Sequence, residues 1–214
     1  MKANSLMLEV SASAGKVSAE YIVPDNPGHI VTLAHGAGAG MNHSFMVAMA
    51  KKLAELGVAS LRFNFPFIEL KKGRPDLPAV AHKTIEAAIN DVKKNYPNLP
   101  LYLSGKSFGG RMSSQLLAAH PDEAVKGIIF FGFPLHPSGK PSTERAEHLK
   151  QVKVPMLFLQ GTRDELATPE LIEEVTSSLK NATLIKLEGA DHAFKAGKQD
   201  LIPVLAKHAS EWMK

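Results

Sequence analysis

Leu101-Tyr102-Leu103-Ser104-Gly105-Lys106-Ser107-Phe108-Gly109-Gly110 is the stretch whose reading decides the fold. Leu101 to Leu103 is a short apolar run, as the end of a buried strand would be. Phe108, Met112, Leu116 and Ala119 then fall at helical spacing and make one apolar face. Between the two, Gly105-Lys106-Ser107-Phe108-Gly109 fits G-x-S-x-G. This is a strand-to-helix turn sharp enough to hold its serine in a strained backbone and present Oγ at the sheet edge. Side chains two residues before and after that serine would collide with the turn, so both places are glycine. The embedded Gly-Lys-Ser also suggests a phosphate loop. A Walker motif, however, needs glycine where this chain has Pro100.

Outward from this turn the chain alternates strand and helix patterns. Residues 5–10 and 17–23 read as a hairpin, and 29–34 as a compact strand running into His35-Gly36-Ala37-Gly38-Ala39-Gly40. A helix is expected over 42–56, ended by Gly57, and a strand over 58–65. Residues 66–78 are polar and proline-bearing, and are expected to be a mobile loop. Helix 80–96 has Ala81, Ile85, Ala88, Val92 and Tyr96 aligned. Strand 127–133 leads to a loop over 134–153 with a short helix near 144–149. Strand 156–160, a helix to 179 opened by Thr168 and Pro169, strand 183–187 and helix 201–212 complete the chain. The alternation predicts one α/β domain over 1–214, with a mostly parallel central sheet and helices on both faces. The 134–153 segment is too short for a helical cap. No cap domain is expected, and the site should be shallow, roofed by 66–78 and 134–153.

Composition narrows the function. A chain of 214 residues, 44% apolar and 21% charged, can bury a sizeable core. The net charge of +4 is scattered, which argues against a nucleic-acid surface. The chain has no cysteine, which removes disulfides, thiolate metal sites and a cysteine nucleophile together. It has no signal-like segment and no apolar run long enough for a membrane span, so a cytoplasmic protein without a membrane partner is expected. None of its nine histidines stands at a metal-binding spacing, and neither metal nor other cofactor is expected. Oligomeric state leaves no signature.

Polar residues recur at the ends of the expected strands: His35, Ser107, Asp164 and His192. Ser107, Asp164 and His192 come in the order nucleophile, acid, histidine, unlike chymotrypsin or subtilisin. A serine hydroxyl needs a base, a histidine can serve near neutrality, and a carboxylate fixes the imidazole tautomer. The plainer readings are a turn aspartate and a surface histidine. Asp191 and Glu165 are rival acids. Asp191 adjoins His192, and neighbouring side chains in an extended loop diverge, which favours Asp164. The His35-Gly36-Ala37-Gly38 segment resembles the H-G-G-G type that supplies half of an oxyanion hole. The expected donors are the Phe108 and Ala37 N–H groups, with Gly38 as the fallback. A dinucleotide fingerprint fails there, because its sixth position is Met41 or His43.

On these residues the chain resembles the α/β-hydrolase superfamily over nearly its whole length. Five segments resemble a small group of testis-expressed-30-like and NSL-complex-subunit-like hydrolase-fold proteins and their bacterial relatives. They are His35-Gly36-Ala37-Gly38 with Met41, Arg62-Phe63-Asn64-Phe65-Pro66, Gly105 to Arg111, Gly132-Phe133-Pro134-Leu135-His136-Pro137, and Gly189-Ala190-Asp191-His192-Ala193-Phe194-Lys195. The resemblance implies a capless hydrolase fold with an apparent triad at Ser107, Asp164 and His192, and no settled substrate. Dienelactone hydrolases share the compact outline but use a cysteine. The expected activity is a serine hydrolase that cleaves an ester, thioester or related acyl bond of a small molecule. The alternative is a catalytically idle binding or scaffolding module, since fold alone does not dictate activity. Lys106, Arg111, Lys71, Lys72, Arg74, Lys140 and Arg145 stand near the expected mouth. They raise an anionic acyl substrate against the plainer reading of solvated surface charge, or of Arg111 paired with a structural carboxylate.

Overall fold

Val125–Phe131 shows why the middle strands read as unbroken apolar runs. Ile128 and Phe130 pack into one core layer and Ile129 and Phe131 into another, on opposite faces of the sheet. The computed structural model describes residues 1–214. Along the chain run β1 (Lys2–Ser11), β2 (Gly15–Val23), β3 (His29–Ala34), α1 (Ser44–Glu55), β4 (Val58–Phe63), α2 (Pro66–Glu69) and α3 (Pro78–Asn95). There follow β5 (Leu101–Lys106), α4 (Phe108–Ala119), β6 (Val125–Phe131), a 3₁₀ helix (Glu144–Gln151), β7 (Met156–Gly161) and α5 (Pro169–Ser177). The chain closes with β8 (Ala182–Leu187), the short strands β9 (Lys195–Ala196) and β10 (Gln199–Asp200), and α6 (Ile202–Trp212).

The first eight strands make one sheet in the order β1-β2-β4-β3-β5-β6-β7-β8. The β1–β2 and β2–β4 pairs are antiparallel and every other pair is parallel. Met46, Met49 and Leu53 of α1 and Leu205 and Ala209 of α6 cover one face. Ile85 and Val92 of α3, Met112 and Leu116 of α4 and Ile172 of α5 cover the other. β3 has β4 on one side and β5 on the other, so the connections diverge between β3 and β5. Open α/β sheets form a crevice at such a point, outside the carboxyl ends of the strands.

The elements differ from expectation in instructive places. Residues 66–78 are not a free loop. Pro66 sits at N1 of the short α2, where its missing N–H costs nothing, Phe67 is buried, and the Phe67 N–H donates to Asp76 Oδ2 at 2.9 Å. Pro78 likewise opens α3, two residues before the expected start. The β9–β10 pair was not expected, since two-residue strands carry no periodicity. Between β6 and β7 there is a single 3₁₀ helix and no cap.

Candidate active site

Ser107 lies between β5 and α4 with φ 50° and ψ −113°, a left-sided conformation that costs a non-glycine residue energy. The flanking glycines explain how the turn closes. A Cβ on Gly105 would lie 2.3 Å from the Gly110 nitrogen, and one on Gly109 would lie 2.5 Å from the Ala34 carbonyl oxygen. No side chain fits in either gap, so α4 starts hard against the ends of β5 and β3.

Asp164 follows β7 and is buried, and His192 follows β8 in a half-buried loop. A chain of hydrogen bonds joins them to the serine: His192 Nδ1 is 2.7 Å from Asp164 Oδ2, and His192 Nε2 is 2.9 Å from Ser107 Oγ. A carboxylate only accepts, so Nδ1 carries the proton and Nε2 presents its lone pair to the serine hydroxyl. The remaining Asp164 lone pairs are also used. Gln160 Nε2 donates to Oδ2 at 2.6 Å and the Leu166 N–H to Oδ1 at 2.8 Å. The Gln160 side-chain oxygen in turn accepts from the Phe133 N–H at 2.8 Å, locking the amide's orientation. Gln160 was not singled out in the sequence. Its signal was a polar side chain directly after the apolar run Met156-Leu157-Phe158-Leu159, within the same strand.

The rival acids have other tasks. Asp191 Oδ1 accepts from the Ala193 and Lys195 N–H groups at 2.9 and 2.8 Å and shapes the loop that carries His192. Glu165 is exposed and bonds Ser138.

The segment after β3 passes beside the serine: a Cβ on Gly36 would stand 3.8 Å from Ser107 Cβ. The Ala37 and Phe108 N–H groups donate no hydrogen bond within the chain, and Phe108 is the first residue of α4, where N–H groups point outward along the helix. His35 holds this segment in place. Its Nε2 accepts from the Phe65 N–H at 2.9 Å and its Nδ1 bonds the Gly36 carbonyl at 2.8 Å, between the rings of Phe65 and Phe67. Burial pushes its pKa down to about 4, so it is neutral at pH 7. Arg62 and Asn64 hold the far side, bonding the Met41 carbonyl and N–H at 2.6 and 2.9 Å.

Lys106, expected near the mouth, turns inward. Its ammonium donates to the His192 carbonyl and lies 5.1 Å from the centroid of the Phe194 ring. Burial lowers its pKa to about 8, against the opposing pull of Asp164 and then Asp191. Gly132, at φ +73°, gives it room, since a Cβ there would come within 3.2 Å of Lys106 Nζ. Lys71, Lys72, Arg74 and Lys140 are solvent-exposed, while Arg111 and Arg145 are half-buried. Two histidines outside the site serve the fold: His43 caps α1, and His136 accepts from the Thr168 N–H at 3.1 Å. No group of three or more His, Asp or Glu side chains could hold a metal ion. No helix is long and apolar enough to cross a membrane.

Similar chains are known. A Mycobacterium tuberculosis protein named "Putative phosphoribosyl transferase" is 25% identical over 210 residues, covering 96% of this chain but 45% of its own length. The chain thus spans about half the length of the curated relatives it matches. Among solved structures, a dienelactone hydrolase from Anabaena variabilis superposes with a TM-score of 0.80 at 21% identity, over 99% of this chain and 96% of the other. An alpha-beta serine hydrolase homologue from Coxiella burnetii gives a TM-score of 0.80 at 21% identity, over 100% and 99%. At such identities the likeness is one of fold. The narrower likeness to the testis-expressed-30-like group stays a resemblance. The family model described as an alpha/beta hydrolase domain, however, matches residues 27–208, most of the length, and the chain belongs to the α/β-hydrolase family.

Proposed function

We propose that the protein is a serine hydrolase that cleaves an ester, thioester or related acyl bond of a small molecule, with Ser107 as nucleophile, His192 as general base and Asp164 as the acid that orients it. The observation that carries this is the unbroken chain from Ser107 Oγ to His192 Nε2 at 2.9 Å and from His192 Nδ1 to Asp164 at 2.7 Å, on a strained turn at the sheet's crevice. Ser107 Oγ attacks the acyl carbon while its proton passes to His192 Nε2. The tetrahedral oxyanion receives the Ala37 and Phe108 N–H groups, aided by the positive end of α4. Collapse expels the leaving group, which takes the proton from Nε2 and leaves the acyl group on Ser107. A water then repeats the sequence, and the acid is released. No step calls for a cofactor.

A fluorophosphonate probe tests this without a guess at the substrate. The purified protein should be labelled once, at Ser107, and Ser107→Ala should not be labelled. A protein that stays unlabelled while folded would instead be a binding module on a hydrolase fold. Labelling that survives in Ser107→Ala would place the nucleophile elsewhere.

A further inference from the structure

An arginine withdrawn from water needs acceptors to offset the loss. Arg62 shows how this chain ordinarily provides them. Although its Nε is unpaired, its guanidinium donates to the Met41 carbonyl at 2.6 Å and Asn42 Oδ1 at 2.9 Å, and pairs with Glu20. Arg111 has none of these. It is half-buried on α4, forms no ion pair and no side-chain hydrogen bond, and its Nε is shielded from solvent without a partner.

Its neighbours add positive charge rather than cancel it. Arg145, on the 3₁₀ helix packed against α4, is also half-buried and without an ion pair. Burial first, and the charge of Arg145 second, hold the Arg111 guanidinium below its ordinary value. His148, on the same 3₁₀ helix, has Nε2 2.7 Å from Ser114 Oγ of α4. Burial and then the Arg111 charge push His148 down to about 4, so it stands beside the guanidinium as a neutral ring. His82 of α3 is close enough to act on His148, and its Nε2 is buried and unpaired. Glu86, exposed on α3, acts on His82.

Arg111 links this group to the candidate nucleophile. The Arg111 N–H donates to the Ser107 carbonyl at 3.1 Å, one turn along α4. Arg111 stands in the first turn of α4, and helical side chains lean toward the helix N-terminus, here toward Ser107. We propose that Arg111 and Arg145, walled by His82 and His148, form a subsite for an oxyanion, a carboxylate or phosphate carried by the substrate that acylates Ser107. Two guanidinium forks with no carboxylate between them are built to receive such a group bidentately. The word substrate rests on the serine-hydrolase reading; the anion site does not.

The experiment is a titration of the ¹⁵N-labelled protein, watching the Arg111 Nε–H resonance, with glutarate and with inorganic phosphate as separate probes at matched ionic strength. The resonance should move and saturate with at least one of them. Arg145→Gln should weaken that binding about tenfold, the effect of losing one charge-assisted hydrogen bond, while its amide spectrum stays that of the folded protein. Saturation by glutarate alone assigns a carboxylate, and by phosphate alone a phosphate. In parallel, the ratio of kcat/KM for 4-nitrophenyl hydrogen glutarate over 4-nitrophenyl valerate should fall about tenfold in Arg111→Gln if the anion is a carboxylate. No shift with either probe, or shifts indifferent to Arg145→Gln, overturn the subsite. Fluorophosphonate labelling of the same sample separates the two ideas. A labelled protein that binds neither anion sinks the subsite alone, and an unlabelled one that binds an anion sinks the hydrolase reading alone.

Discussion

Asp164 and Asp191 are two carboxylates that could serve His192, and their hydrogen bonds divide the work between them. Asp164 is spent on His192 Nδ1, Gln160 and the Leu166 N–H, whereas Asp191 is spent on backbone N–H groups of its own loop. Asp164→Asn should therefore keep the fold and lower kcat by about 10⁴, because an amide there stabilises the wrong imidazole tautomer. Asp191→Asn should cost much less, since an amide oxygen still accepts from Ala193 and Lys195. Rates on an activated ester at fixed pH decide the ranking, and the reverse order would move the role to Asp191. Lys106 is the other residue whose part differs from its sequence reading. Its ammonium donates to the His192 carbonyl, which in the proposed mechanism makes it a positioning residue. Lys106→Met should leave that carbonyl short of a donor and lower kcat about tenfold, with KM changed less. The ammonium loses its charge near pH 8, so any wild-type loss of rate that follows it should begin there and move to higher pH in Lys106→Arg, whose guanidinium stays charged. A Lys106→Met enzyme with the wild-type rate and pH profile would refute this part.

At the scale of elements, the site depends on how closely β7 and the loop after β8 approach. A Cβ on Gly161 would lie 2.2 Å from the Ala190 carbonyl oxygen, so that glycine sets the spacing between Asp164 and His192. Gly161→Ala should push the His192 loop outward and stretch the Asp164–His192 bond. The expected result is a fall in kcat of about 10²-fold, of the size that small misplacements cause, with far-UV circular dichroism unchanged. Unaltered turnover would mean the loop yields without disturbing the histidine. The elbow was legible because its constraints are local: two glycines, a serine and a helical apolar stripe all fall within a few residues. Gln160, His35 and Lys106 were legible only as residue types. Each acts on a partner from another strand or loop, such as Phe133, Phe65 or His192, and no spacing in the sequence encodes those pairings. The polar segment 66–78 misled for a related reason. Its cations Lys71, Lys72 and Arg74 are exposed, but half-buried Glu69 and Asp76 accept hydrogen bonds from the fold, and Pro66 and buried Phe67 fasten its start.

Across the whole molecule, the alternation of strands and helices specified a sheet covered on both faces. The exchange of β3 and β4 in the strand order, which sets the crevice, had no local signature. At that crevice His35 couples stability to pH. It is fully buried among Phe65 and Phe67, with one nitrogen accepting from Phe65 and the other bonded to Gly36. Its pKa is about 4 in the fold, against about 6.5 in an unfolded chain. Between those values the unfolded state binds a proton that the folded state refuses. His35's share of stability is therefore complete above about pH 6.5 and is lost as the pH falls toward 4. At about 1.4 kcal/mol for each tenfold change in proton affinity, the loss is on the order of 3 kcal/mol. His148, also near 4, adds to it in the same direction, less strongly because it is partly exposed. His35→Gln keeps a donor and an acceptor but cannot titrate. It should be less stable than wild type at pH 7, through lost ring packing, yet lose less on acidification, so the two denaturation curves converge between pH 6.5 and 4. Carboxylates held low in the fold weaken both proteins alike and cancel in the difference. Curves that stay parallel through that window would show that His35 does not carry the coupling.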